Sequence, residues 1–219
     1  GITYEKYDYF GNIRYSKKTL SICDGVFSWG EFDFNFLKKN FNIFASKFYN
    51  TGNPRVDMWK PKFDSYFYDK NLFELDYIFI PSSFGSFLSE KRFWDRIKTR
   101  RKNLHFQNGV DEFKLYEVES NSLILTKEFI KMIRGLLEYF KNINIVLRPH
   151  SYENSKAWKK LIGEYSNLKI INDDGITKWI RNAKLIIHNG CTSGMEASFS
   201  NKNVVAYVPF KNNLIREIP

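Results

Sequence analysis

Cysteine is nearly absent from this sequence of 219 residues. Cys23 and Cys191 stand far apart, with no C-x-x-C pair and no histidine at the spacing of a zinc site. Secreted disulfide-stapled domains and zinc modules need several cysteines at short, regular spacings. We therefore expect neither a disulfide framework nor a metal site, and we expect a protein of the reducing cytoplasm.

Long apolar runs are also absent. No stretch approaches the roughly 20 apolar residues that a membrane-spanning helix requires, and the first residues lack the basic-then-apolar pattern of a signal peptide. There is no internal repeat and no low-complexity tract. We expect a cytoplasmic protein that can still associate peripherally with the cytoplasmic face of the inner membrane.

The sequence has ample material for a core and an excess of positive charge. Hydrophobic residues make up 43% and aromatic residues 18%, and 34 basic against 24 acidic residues give a net charge of +10. Such a charge favours an anionic partner: nucleic acid, an acidic membrane or a phosphorylated substrate. The basic residues are spread along the chain, with one dense run at 98–102, so we expect no nucleic-acid partner. Duplex binding that fell steeply with added salt would reverse that expectation.

Short apolar runs alternate with longer segments of helical period, which is the pattern of a parallel α/β sheet. The runs are nearly all apolar, as expected for strands covered on both faces. Strands are predicted at 77–80, 143–147, 168–171, 185–188 and 204–208. Helices are predicted at 89–101, 122–140, 155–165, 176–182 and 193–199. The helix at 122–140 has the clearest apolar stripe, with hydrophobic residues at three- and four-residue steps.

The first quarter of the chain is interpreted as a separate part. A strand at 25–29, a helix at 31–40 and a strand at 44–50 precede a segment, 51–76, whose glycine, prolines and charges indicate a linker or crossover. We predict a domain boundary at 60, with residues 1–60 as the remnant of an N-terminal α/β domain and crossover. Residues 61–219 would form a Rossmann-like domain that binds a nucleotide-sugar. Both ends read as abrupt, and we expect a fragment or a truncated reading frame.

The predicted strand ending at Leu147 is followed by Arg148, Pro149 and His150. In open parallel sheets the carboxyl ends of the strands face the crevice where ligands bind. The arginine supplies a fixed cationic fork for a phosphate, and the histidine can donate a hydrogen bond or a proton near neutral pH. The structural alternative, in which Arg148 pairs with a carboxylate and His150 caps the next helix, is equally compatible with the sequence.

The predicted strand ending at His188 is followed by a glycine-rich turn that opens a helix. Two glycines and two hydroxyl residues allow the backbone to approach an anion, and the helix N-terminus attracts negative charge. An ordinary helix cap needs fewer such residues. The predicted phosphate-binding residues of this turn are Asn189, Gly190, Thr192, Ser193 and Gly194.

Three further features have weaker signals. Glu196 is positioned to hydrogen-bond a ribose hydroxyl or, equally, to form a capping box with Ser193. Ser82 and Ser83 follow the strand at 77–80 in a turn that can bind a diphosphate, although such turns are common. The acidic pair at 173–174 reads best as a turn and helix cap.

A serine hydrolase is rejected, because the glycines around Ser193 are one residue too far apart for a nucleophile elbow.

Four strings occur in order: TGNPRVD (51–57), IPSSFG (80–85), VLRPHSYEN (146–154) and LIIHNGCTSGMEAS (185–198). Together they resemble the bacterial surface carbohydrate biosynthesis family over about residues 24–207, and the last string is the most specific. That family is similar to glycosyltransferases of the GT-B type, with two Rossmann-like domains around a cleft. It is distantly similar to Kdo transferases and to polyol-phosphate transferases of teichoic acid synthesis.

The resemblance implies a transferase that acts on a nucleotide-activated sugar, CMP- or UDP-linked, and a glycan acceptor, for capsule or lipopolysaccharide assembly. Arg148, His150, Asn189, Thr192 and Ser193 would face the donor phosphate, with His150 catalytic and no metal or other cofactor required. The family commonly has His-Pro where this chain has His150-Ser151. Two alternatives stay open: transfer of a polyol phosphate from a CDP donor, and a truncated nucleotide-binding module without catalytic activity. The sugar, the base, the acceptor and the oligomeric state are not encoded in any motif.

Overall fold

The computed structural model describes residues 15–73, 75–84, 94–95, 98, 109–172 and 175–209, without the side chains of residues 73 and 109–119. The predicted helix at 89–101 falls almost entirely outside the described residues, as does the acidic pair at 173–174. The chain divides into two compact units, Gly1–Lys60 and Pro61–Pro219.

The described part of the first unit is a small α/β element. It contains helix α1 (Lys17–Ile22), strand β1 (Val26–Ser28), helix α2 (Glu31–Asn40), a 3-10 turn (Asn42–Lys47), strand β2 (Phe48–Asn50) and helix α3 (Pro54–Met58). The two strands pair in parallel. One side of this pair packs on a core of Leu20, Phe36, Leu37, Phe41 and Phe48. The predicted strand at 44–50 is therefore wrong over its first part, where 3-10 hydrogen bonds such as Phe44 N to Phe41 O replace extended backbone.

The second unit begins with short helices and continues as an alternating α/β sheet. Its elements are a 3-10 turn (Pro61–Phe63), α4 (Asp64–Phe67), α5 (Lys70–Phe73), β3 (Tyr77–Pro81), α6 (Gly109–Tyr139), β4 (Asn144–Arg148), α7 (Ser155–Ile162), β5 (Leu168–Ile170), α8 (Ile176–Asn182), β6 (Leu185–His188), α9 (Thr192–Phe199) and β7 (Val204–Ala206). Each predicted strand of this unit is confirmed within two residues at either end. The predicted linker at 51–76 instead carries several short helices, which are too brief to show a helical period.

The described strands of the second unit form a parallel five-stranded sheet in the order β5-β4-β3-β6-β7. Numbered from the first strand of the unit, this is the 3-2-1-4-5 order of a Rossmann fold. The chain adds β4 and β5 on one side of β3 and then crosses to the other side, where it adds β6 and β7. The switch point therefore lies between β3 and β6, at the edge where their carboxyl ends emerge.

Helices cover both faces of this sheet. Ile78, Ile145 and Ile187 face one side, where they pack with Phe129 of α6 and Trp158 of α7. The alternate strand residues face the other side, where they pack with residues of α8 and α9; this second cluster includes Tyr77, Phe79, Val146, Ile186, Trp179 and Ala197. The predicted fold class, a Rossmann-like parallel sheet with helices on both faces, is confirmed.

The face covered by α8 is held by buried polar contacts as well as by apolar packing. The Tyr77 hydroxyl donates to the carbonyl of Trp179 at 2.7 Å, and burial raises the pKa of this tyrosine far above its usual value. Arg181 is buried, pairs with Asp64 of α4, and lies over the ring of Phe67. These contacts attach the first helices of the unit to the face of the sheet that α8 and α9 cover.

Candidate functional site

Three loops meet at the carboxyl edge of the sheet: 82–84 after β3, 149–154 after β4, and 189–191 after β6. Arg148 is in register with Pro81, and the β3–β6 register, Phe79 with Ile186, continues to place Pro81 beside His188. Neighbouring strands are about 4.8 Å apart, so the backbones of Arg148 and His188 are separated by about 10 Å. The loops that carry the two main groups of predicted site residues thus leave the same edge of the sheet, on either side of β3.

Arg148 and the α9 turn also share a face of the sheet. Side chains alternate along a strand, so Arg148 follows Val146 and His188 follows Ile186, both of which pack against the helices of the second face. α9 covers that same face through Ala197. Arg148, which is half-buried, is therefore on the side of the sheet from which the N-terminus of α9 arises.

His150 lies in a tight turn in which its own ring takes part. The Glu153 N–H donates to the His150 carbonyl at 2.7 Å, and the Tyr152 N–H donates to His150 Nδ1 at 3.3 Å. Because Nδ1 accepts, the neutral ring carries its proton on Nε2. Nε2 has no hydrogen-bond partner among the described residues and is the atom left to donate to a ligand. The alternative in which His150 caps α7 is wrong, since Asn154 accepts from the first N–H groups of that helix.

His188 and Gly194 form a close-packed pair beneath the glycine-rich turn. The His188 ring is buried, and its Nδ1 accepts from the Gly190 N–H at 3.1 Å. Burial lowers the pKa of His188 below its usual value, which keeps the ring neutral near pH 7. A Cβ at position 194 would lie 2.2 Å from Cε1 of His188, so only glycine fits there. Gly194, predicted as a phosphate-binding residue, is in this structure the residue that lets α9 approach the sheet.

The N-terminus of α9 is capped differently from the sequence prediction. The helix begins at Thr192, with Cys191 at the cap position and no side chain accepting from the first turn. The predicted capping box of Ser193 and Glu196 is therefore wrong, because Ser193 is already helical. Thr192 and Ser193 lie in this first turn, where N–H groups without a side-chain cap attract an anion. Glu196 is buried on the inner side of the helix.

Asn189 bridges two of the loops across the switch point. Its Nδ2 donates to the Ser83 carbonyl at 3.3 Å. Its Oδ1 is buried and finds no hydrogen-bond partner within the part of the chain that the structure describes. A buried polar atom without a partner from the protein usually hydrogen-bonds to water or to a ligand. The loop after β6 therefore offers an acceptor atom next to Gly190. The φ of 84° at Gly190 lies in the left-handed region, which favours glycine.

Ser82 and Ser83 differ in what they offer. The Ser82 side chain is buried, and its hydroxyl donates to the Glu153 carboxylate at 2.5 Å. Ser83 is exposed, and its carbonyl receives the Asn189 amide. A ligand can thus approach Ser83 directly, whereas the Ser82 hydroxyl already has a partner.

Glu153 is the residue of this site that sequence reasoning missed. It lies within the VLRPHSYEN string, but nothing in that string shows that its carboxylate turns inward. Besides Ser82, the Phe84 N–H donates to it at 2.5 Å and the Trp158 Nε1 at 2.8 Å. Only the fold brings these donors together, because Phe84 and Glu153 are 69 positions apart.

The described residues contain neither a candidate metal site nor a candidate membrane span. No cluster of three or more His, Cys, Asp or Glu side chains there is arranged to hold a metal ion. In the same residues, no helix combines the length and the apolarity needed to cross a bilayer.

The strand order and the helices on both faces define a Rossmann-like class of α/β fold, and comparisons with known proteins add one finding. No family model matches the chain, and no curated protein matches it. Among solved structures, the chain is similar to the wall teichoic acid polymerase TagF, with a TM-score of 0.47 and 12% sequence identity. The alignment covers 93% of this chain and 42% of the polymerase, so the chain spans less than half of that protein's length.

Proposed function

We propose that the second unit binds the phosphate of a nucleotide-activated sugar and serves a GT-B-type glycosyl transfer in surface polysaccharide synthesis. The observation that carries the proposal is the switch point between β3 and β6. Open α/β sheets bind their ligands at such a point, outside the carboxyl ends of the strands. In this chain the point is lined by Ser83, Asn189 and the uncapped first turn of α9, and Arg148 lies one strand away on the same face.

The residues divide the chemistry of such a transfer among them. The bond between the sugar's anomeric carbon and the phosphate oxygen breaks, and a bond from the acceptor oxygen to that carbon forms. The acceptor hydroxyl gives up its proton to water, and the nucleotide leaves with added negative charge. Arg148 and the N–H groups of Thr192 and Ser193 would stabilise that charge. His150, through the Nε2–H of its neutral ring, would donate a hydrogen bond to the departing oxygen. In this proposal the protein works in the cytoplasm, near the inner membrane, where lipid-linked or glycan acceptors are assembled.

The direct test is titration of the full chain with CMP, UDP and CDP, followed by a turnover assay with the nucleotide that binds. A transferase should bind one of them and turn over the matching donor. Product analysis with sugar and polyol donors then separates glycosyl transfer from polyol-phosphate transfer. Tight binding without turnover would support the inactive nucleotide-binding module, and no binding to any of the three would overturn the proposal.

Replacing Arg148 with alanine should weaken nucleotide binding by about 1–3 kcal/mol, the usual contribution of a charge-assisted hydrogen bond. Isothermal titration of the wild type and the variant measures the difference. Lys160→Ala is the matched control, because Lys160 is an exposed cation on α7 and its removal changes the net charge equally. Equal affinities for wild type and Arg148→Ala would remove Arg148 from the site.

Replacing His150 with alanine should lower turnover by about 10²–10³-fold, the usual effect of removing one hydrogen-bond donor to charge that develops in the transition state, and should change nucleotide affinity far less. His150→Gln is the informative companion, since its amide keeps a hydrogen-bond donor near the Nε2 position and should retain part of the turnover. Steady-state kinetics and titration of both variants separate the two effects. If binding and turnover fell by the same factor, His150 would position the ligand rather than stabilise the departing phosphate.

A further inference from the structure

Glu153 has an unusual environment for a carboxylate at a ligand-binding edge. Its side chain is 8% exposed and receives hydrogen bonds from the Ser82 hydroxyl, the Phe84 N–H and the Trp158 indole. Among the described residues, no Lys, Arg or His lies within ion-pair distance of it. Three neutral donors therefore hold the buried charge.

Burying such a group costs free energy that an apolar side chain would not cost. A site that needed only packing between Phe84 and Trp158 could be filled by a leucine or methionine at position 153. A carboxylate differs from an apolar side chain because its hydrogen bonds have preferred directions. It therefore fixes the positions of three donors that come from separate parts of the chain. Buried polar groups of this kind can specify one arrangement of a loop over others.

The bonds of Glu153 link all three strand-end loops. Its own N–H closes the turn that carries His150. Its carboxylate accepts from the Ser82 hydroxyl and from the Phe84 N–H, on either side of Ser83, and the Ser83 carbonyl in turn accepts from Asn189. A single side chain thus connects the β4 loop directly to the β3 loop, and through Ser83 to the β6 loop.

We propose that Glu153 is a positioning residue that sets the spacing between His150 and Asn189 for ligand binding. It does not touch the ligand; it acts through the 82–84 loop and the 150–153 turn. This inference rests on the proposed function for its ligand, a nucleotide phosphate. The mechanical link between the loops is independent of that ligand.

The test uses the full chain with Glu153→Gln, which keeps the shape of the side chain but replaces one acceptor oxygen by a donor group. Nucleotide titration is carried out where each variant is fully folded, and amide hydrogen exchange is followed at 189–191, a loop to which Glu153 makes no hydrogen bond. We expect about tenfold weaker binding, the usual effect of losing one hydrogen bond to a ligand, and faster exchange at 189–191. Ser82→Ala, which removes one donor, should show the same changes to a smaller extent and serves if Glu153→Gln does not fold.

Two control variants separate positioning from general destabilisation. Ile162→Val creates a small cavity in the core on α7 and should lower stability without changing affinity or the exchange at 189–191. Glu164→Gln removes an exposed carboxylate and should change nothing measured.

The outcomes keep the two proposals apart. If the wild type binds no nucleotide while Glu153→Gln still quickens exchange at 189–191, the proposed function fails and the positioning role of Glu153 stands. If the wild type binds and Glu153→Gln changes neither affinity nor exchange, the positioning role is overturned and the proposed function stands. A loss of affinity equal to that of Ile162→Val would also overturn it.

Discussion

Replacing Gly194 with alanine is expected to lower the free energy of unfolding by about 3 kcal/mol, the upper part of the range for overpacking a core. A Cβ there would lie 2.2–2.5 Å from three atoms of the His188 ring. The ring is buried and its Nδ1 already accepts from Gly190, so it cannot move aside without losing that bond. Either α9 must lift from the sheet or the turn at 189–191 must rearrange.

Gly135→Ala is the matched control for this prediction. Gly135 is an exposed residue of α6, and nothing lies within 4 Å of a Cβ built on it. Alanine should therefore stabilise the helix by about 0.8–1 kcal/mol through its higher helix propensity. Urea denaturation followed by circular dichroism compares the two variants. A Gly194→Ala protein within 1 kcal/mol of the wild type would contradict the close packing of α9 on His188.

The second large effect is expected from Asp64→Ala, at about 2–3 kcal/mol of lost stability. The Arg181 side chain is 2% exposed, and Asp64 is a hydrogen-bonded counter-ion to it. Removing the carboxylate leaves a buried cation with one fewer anionic partner, which costs more than the ion pair itself contributes. Because Asp64 is about half-exposed, water can enter and limit the loss.

Asp76→Ala provides the comparison. Asp76 pairs with Lys184 at 3.3 Å, and both side chains are mostly exposed, so the loss should stay below about 1 kcal/mol. Added salt should reduce the small Asp76 effect further and leave the Asp64 effect largely intact, since buried pairs are screened less. Denaturation midpoints for both variants at low and high salt check this. Equal losses for the two variants would mean that Arg181 does not depend on Asp64.

Much of the second unit's fold could be predicted from local sequence. The runs at 77–80 and 185–187 are apolar throughout because both faces of the sheet are covered, and that burial is visible in composition alone. The stripe of α6 was equally readable, and Phe129, Ile133 and Leu137 are buried as the period requires. The rule that ligands bind at the carboxyl edge of a parallel sheet then placed the loops after β4 and β6 together.

The remaining features depend on contacts between distant residues. Nothing near Glu153 shows that its carboxylate meets Ser82 and Phe84, and nothing near Gly194 shows that its missing side chain makes room for His188. The start of α9 was misplaced by one residue because Ser193 has a high cap propensity. Cys191 occupies the cap because the fold, rather than local preference, sets where the chain leaves β6. The roles of Arg148, His150 and the α9 turn in binding remain predictions.

Strand β3 occupies the centre of the sheet although it is the first of the unit's strands to be synthesised. Its Tyr77 hydroxyl finds its acceptor 102 positions later, at Trp179, and its neighbour β6 comes later still. On the ribosome, one edge of this strand stays without its hydrogen-bonding partner β6 until nearly the whole unit has emerged. Such long-range pairing slows folding, and an unpaired strand edge in a partly folded chain is prone to aggregation.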